Sequence, residues 1–125
     1  MKRILIADGN EDSRYIYELY LEFHGYAVLE AHDGHDALRV ARQERPGLLL
    51  VRKGLPRLDG WEVARILKSD PGTADIPIIG YSANAMAEVR EGALEAGCDR
   101  FMLGPVAPRA FEAAIRELIG GPRAD

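Results

Sequence analysis

Leu48-Leu49-Leu50-Val51-Arg52-Lys53-Gly54-Leu55-Pro56-Arg57-Leu58-Asp59-Gly60 is the stretch that decides how this chain folds. Four apolar residues in succession, without polar alternation, read as a strand covered on both faces. A Pro-containing turn follows, and Asp59 stands where an N-cap would start a helix over Trp61–Lys68. The join between strand and helix holds two adjacent cations and a glycine, where a buried strand delivers side chains to a crevice.

The same strand–turn–helix unit recurs on either side. Arg3–Ala7 is a short apolar strand, followed by a helix over Glu11–His24 carrying Ile16, Leu19, Tyr20 and Phe23 at helical spacing, with Gly25 after it. Tyr26–Ala31 is the second strand, and a helix with the face Ala37, Leu38, Ala41 runs to the break at Pro46-Gly47. Ile76–Tyr81 is the fourth strand, with Asn84 capping a helix to Ala96. Arg100–Leu103 is the fifth strand, and Pro108–Ile119 the last helix. Five strands alternating with five helices imply an α/β, flavodoxin-like (βα)5 domain. Its parallel sheet is expected in the order 2-1-3-4-5, with a crevice at the carboxyl ends of strands 1 and 3. Asp8, Gly9, Arg52, Lys53, Ser82 and Gly104 then surround one mouth.

Composition narrows the function classes. The 125 residues suit one domain, expected over residues 1–120 with a frayed tail at 121–125. A net charge of −4 gives no nucleic-acid footprint. No apolar run reaches the roughly 20 residues of a membrane span, and Met1-Lys2-Arg3 opens no signal peptide. The single cysteine, Cys98, excludes an internal disulfide and points to a cytoplasmic setting. Cys98 reads as a packed thiol and Trp61 as core packing. His24, His32 and His35 lack a ligand cluster, so no metal site is expected.

Several motifs together resemble the receiver domain of bacterial two-component response regulators, the chemotaxis-type receiver among them. They are Ile4-Leu5-Ile6-Ala7-Asp8, Gly34 with Ala37-Leu38, Leu55–Gly60, Ile76-Pro77-Ile78-Ile79, Ser82-Ala83, Glu95–Asp99 and Pro105-Val106. The resemblance implies phosphorelay signal transduction through a phospho-accepting aspartate at the end of strand 3. It also implies an acidic pair after strand 1 for Mg²⁺, a Ser/Thr after strand 4 and a lysine before Pro at strand 5. Such a site works by neutralising charge on the transferred phosphoryl group. Here the acceptor position is Arg52, the second acid is Gly9 and the lysine is Gly104; Asp8, Ser82 and the aromatic Phe101 remain. An arginine has no oxygen to accept a phosphoryl group, and its charge opposes a divalent ion. Phosphorylation and Mg²⁺ binding are therefore expected to be lost, with no cofactor and no catalytic residue.

Two functions follow. The first is a pseudo-receiver that acts by protein contact, with Arg52 paired to Asp8. Its partner or second copy would meet the face made by Met86–Ala96, Arg100–Leu103 and Pro108–Ile119, as the resemblance implies. The second is a rebuilt crevice, widened by Gly9, Gly54, Gly80 and Gly104 and furnished with Arg52, Lys53 and Tyr81. Selection for a new ligand, or deliberate engineering, would cluster changes around one hole in this way. Such a crevice would bind a small anion through Arg52, Lys53 and Ser82, or a carbonyl compound as a Schiff base on Lys53 with Tyr81 moving the proton. Against this, strand alternation sends Lys53 to the face opposite Arg52, where its ammonium reaches solvent. The resemblance further suggests a cis peptide at Gly104-Pro105.

Overall fold

A computed structural model describes residues 1–123. Its elements in chain order are β1 Arg3–Ala7, α1 Glu11–Phe23, β2 Ala27–Ala31, α2 Gly34–Glu44, β3 Leu48–Arg52, α3 Gly60–Ser69, β4 Ile78–Ser82, α4 Ala87–Glu95, β5 Arg100–Leu103 and α5 Pro108–Ile119. All strand pairs are parallel and the sheet order is β2-β1-β3-β4-β5. This is the flavodoxin-like fold expected from the alternation of strands and helices.

The period-2 alternation of β3 divides the core. Leu49 and Val51 enter a cluster with Leu5, Ala7, Trp61, Val63 and Ile78 beneath α2, α3 and α4. Leu48 and Leu50 enter the opposite cluster with Ile4, Ile6, Tyr17, Ile79 and Phe111 beneath α1 and α5. Continuous apolar strands are what a sheet buried on both faces requires.

Local chemistry starts the helices. Asn10 accepts from the Ser13 backbone N–H at 2.9 Å, and Asp33 from Asp36 N–H at 2.8 Å. Asp59 accepts from Trp61 N–H at 2.9 Å, as its position before α3 implied. Asn84 does not cap α4: its side chain accepts from Met86 N–H, and Met86 is the N-cap residue without a side-chain bond. No cis peptide bond occurs among the described residues, so Gly104-Pro105 is trans, contrary to the expectation. The tail is tied back at one point, where Lys2 N–H donates to the Pro122 carbonyl at 2.9 Å. The rest of the stretch expected to fray, Ala124 and Asp125, lies outside the described residues.

Cys98 is buried, and burial pushes its thiol up to about 12, the range of an inert packed side chain. Trp61 is core as expected. Its indole N–H donates to the Val89 carbonyl at 3.0 Å, and its ring meets Phe101 edge-on at 6.1 Å. No described helix is long and apolar enough to cross a membrane.

Candidate functional site

The mouth is assembled by register. Ala7 pairs with Val51, which puts Asp8 beside Arg52, and Arg52 pairs with Tyr81 across β3 and β4. Alternation then turns all three side chains to the α1/α5 side of the sheet. The Arg52 guanidinium donates to Asp8 Oδ1 at 3.2 Å, and the Tyr81 hydroxyl donates to Asp8 Oδ2 at 2.8 Å. Asn10 N–H donates to Asp8 Oδ1 at 2.8 Å, so the fully buried carboxylate is held from three directions. Burial, and then the Asp8 charge, push the Tyr81 phenol well above its ordinary range, so Tyr81 remains a hydrogen-bond donor.

A second tyrosine completes the arrangement. The Tyr17 hydroxyl donates to the Val106 carbonyl at 2.9 Å, tying α1 to the turn before α5. Tyr17, Tyr81 and Phe111 pack edge to face, with ring centres 4.8 to 6.2 Å apart. Arg14, on the buried stripe of α1, donates to the Asp8 carbonyl at 2.7 Å. Above these groups lies a crevice of about 300 Å³, lined by Asp8, Arg52, Tyr81, Ser82, Gly104 and Pro105 among others.

Of the residues named from the sequence, Asp8, Arg52, Tyr81, Ser82 and Gly104 converge and Lys53 does not. The Lys53 ammonium pairs with Asp59 Oδ1 at 3.0 Å, on the α3 side of the sheet and outside the crevice lining. The expectation that Lys53 furnishes the crevice is thereby corrected, for the reason strand alternation supplied.

The four glycines do not widen the mouth as expected. A Cβ on Gly80 would meet the Trp61 ring at 2.6 Å, and one on Gly9 would meet the Pro56 ring at 2.7 Å. A Cβ on Gly104 would lie 2.2 Å from Val106 N. Neighbours occupy the space in each case, and only Gly54 faces open space. Missing side chains here admit tighter packing.

Arg14, Tyr17 and Asn10 were not singled out from the sequence. A usable signal existed for Arg14, a cation on the helical stripe Arg14–Tyr17–Leu21 that should otherwise be apolar.

Arg14 also joins the mouth to a surface cluster, through Nε at 3.4 Å from Glu30 Oε2. Burial and the neighbouring Glu30 push Glu18 up to about 7, while hydrogen bonds from Glu18 and then His32 hold Glu30 down to about 2. The two carboxyls share one proton across that range. Both unfolded carboxyls titrate near 4.5, so from about pH 4.5 to about 7 the folded chain binds the extra proton. Stability from this pair therefore rises as pH climbs to about 4.5 and falls between there and neutrality. Replacing Glu18 by Gln is expected to raise Tm at about pH 8 and leave it nearly unchanged at about pH 5, as thermal denaturation at both values checks. An equal gain at both values would show that the pair shares no proton.

Comparison with known proteins places these features. Residues 4–116 match the family model of the response regulator receiver domain. The chain is 31% identical over 119 residues to the polar-differentiation response regulator DivK of Brucella anthropi, covering 95% of this chain and 97% of that protein. It is 36% identical over 118 residues to the probable transcriptional regulator ycf27 of Cyanophora paradoxa, covering 94% of this chain but 48% of that protein. The chain thus spans about half the length of the ycf27 relatives it matches. Among solved structures it resembles the receiver domain of a sensor histidine kinase from Pseudomonas aeruginosa, crystallised with a magnesium ion in its active-site cleft. That likeness has a TM-score of 0.88 at 29% identity and covers 96% of this chain and 98% of the other.

Proposed function

This chain is a member of the response regulator receiver domain family, and on that premise we propose that it is a pseudo-receiver, a phosphorylation-independent protein-interaction module of two-component signalling. Receiver domains generally act through protein partners. The observation that carries the reading is Arg52 at the acceptor position, with its guanidinium on the Asp8 carboxylate at 3.2 Å. A side chain without a nucleophilic oxygen cannot accept a phosphoryl group. Its fixed charge also takes up the one carboxylate on which an ion would depend.

The same geometry speaks against Mg²⁺. Small hard cations need several oxygen ligands in near-octahedral geometry. Asp8 is the one acid among the residues lining the crevice, and its oxygens already accept from Arg52, Tyr81 and Asn10. Among the described residues no group of three or more His, Cys, Asp or Glu side chains is placed to hold a metal. No step of this function runs through a metal.

Incubation with acetyl phosphate and Mg²⁺ is expected to leave the intact mass unchanged. An added phosphoryl group on an aspartate would end the pseudo-receiver reading.

One observation favours a second reading of the same mouth. Arg52 offers five N–H donors, and the hydrogen bond to Asp8 is the one it makes among the described residues. Arg52 and Ser82 both line the crevice, a pairing that suits a small anion. Calorimetric titration with phosphate and formate tests this, with binding by the parent and none by Arg52→Ala expected.

A further inference from the structure

The crevice beside Asp8 joins a polar corner to an apolar wall. Arg52 and Ser82 make the corner, and Tyr17, Tyr81, Pro105 and Val106 make much of the wall. Both tyrosine hydroxyls are already spent, Tyr17 on the Val106 carbonyl and Tyr81 on Asp8, so what remains to offer is ring carbon. The two rings pack edge to face with each other and with Phe111, which holds the wall in place.

The corner has room for a single negative charge. Arg52 is half-buried and makes one hydrogen bond among the described residues, to Asp8, so most of its donors are unspent. Ser82 Oγ accepts from the Asn84 N–H at 3.1 Å, and its own proton has no acceptor among those residues. Asp8 is fully buried with both oxygens engaged, yet its charge lies beside the same guanidinium. One cation shared with Asp8 can hold a monoanion, whereas a phosphate dianion leaves an excess of like charge at the corner. A carboxylate also matches the planar fork of arginine.

Size limits the rest of the ligand. The crevice of about 300 Å³ is at the low end for ligand pockets. At about 30 Å³ for each water-sized group, roughly ten heavy atoms fill it. Building on the small-anion reading of the mouth, we propose that the crevice binds a compact aromatic monocarboxylate of the benzoate or phenylacetate class. The carboxylate accepts from Arg52 and the Ser82 hydroxyl, and the ring lies against Tyr17, Tyr81 and Val106. A ligand ring meets those tyrosines edge to face, as they already meet Phe111.

Calorimetric titration of the whole chain at about pH 7 with benzoate, formate, phosphate and neutral benzyl alcohol is the test. Benzoate is expected to bind about tenfold or more tightly than formate, since its ring takes about 100 Å² of apolar surface out of water. Benzyl alcohol should bind about tenfold or more weakly than benzoate, having no charge for Arg52. Arg52→Lys and Ser82→Ala should each weaken benzoate about threefold or more with the parent's circular dichroism retained. Arg52→Lys keeps a cation beside Asp8, so the fold survives the loss of the fork. In amide proton–nitrogen spectra, benzoate should move Ala83, Gly104 and Val106 most, the residues at the crevice rim and wall.

Formate and phosphate binding as tightly as benzoate would leave the small-anion reading standing and overturn the aromatic ligand. Benzyl alcohol binding as tightly as benzoate would overturn it too. If no anion binds, or if both variants bind every anion as the parent does, the two readings fall together. Benzoate shifts centred on Ile16, Leu19 and Phe23, the exposed apolar stripe of α1, would place the ligand outside the crevice and overturn the proposal.

Discussion

Arg52→Asp is expected to destabilise the domain by about 3 kcal/mol and to leave it unable to accept a phosphoryl group. On the pseudo-receiver reading proposed above, the substitution puts an acceptor carboxylate into a site that does not support one. Asp8 is fully buried, and Arg52 is the cation paired with its carboxylate among the described residues. Removing the guanidinium leaves a buried carboxylate with two hydrogen bonds and no ion-pair partner, and the new aspartate adds a like charge on the neighbouring strand. The figure sits at the low end for a broken ion pair because the Arg52 side chain is 39% exposed and solvent weakens the pairing. Arg52→Lys keeps a charge without the planar fork and should lose less. Urea unfolding at neutral pH with an unchanged m-value measures the loss. A stabilised Arg52→Asp variant would mean that Tyr81 and Asn10 suffice for Asp8.

Gly104→Lys is expected to cost about 3 kcal/mol or more. Space is the cause, because Gly104 is not among the residues with positive φ. A Cβ there would lie 2.2 Å from Val106 N and 2.8 Å from Val106 Cα, backbone atoms that no rotamer change removes. The turn is anchored as well, since the Val106 carbonyl accepts from the buried Tyr17 hydroxyl. Gly104→Ala should therefore lose nearly as much as Gly104→Lys. Denaturant midpoints for the two variants decide the matter, and a neutral alanine would show that the turn yields. Gly9 is packed in the same way, since a Cβ there would meet the Pro56 ring at 2.7 Å.

Most of the fold was legible because its signals are local. Continuous apolar strands, Asp59 before α3 and Pro108 at the start of α5 each act within a few residues. The α4 start was misread, because Asn84 is a good capping residue by type but spends its side chain on the turn at Met86. The mouth was legible in its identities, Asp8, Arg52, Tyr81, Ser82 and Gly104, since parallel topology places strand ends together. The glycines were misread because a missing side chain looks like a void until the neighbour that fills it is known.

By itself, the sequence determined the order of the sheet and the row of side chains at its crest, Arg52 among them. These follow from period, register and residue type. Tertiary structure alone decided that Tyr81 and Arg52 share Asp8, that Trp61, Pro56 and Val106 fill the space beside Gly80, Gly9 and Gly104, and that α1 keeps a second apolar stripe in solvent. Those outcomes depend on which distant side chains arrive at one place, and packing between elements far apart in the chain sets that.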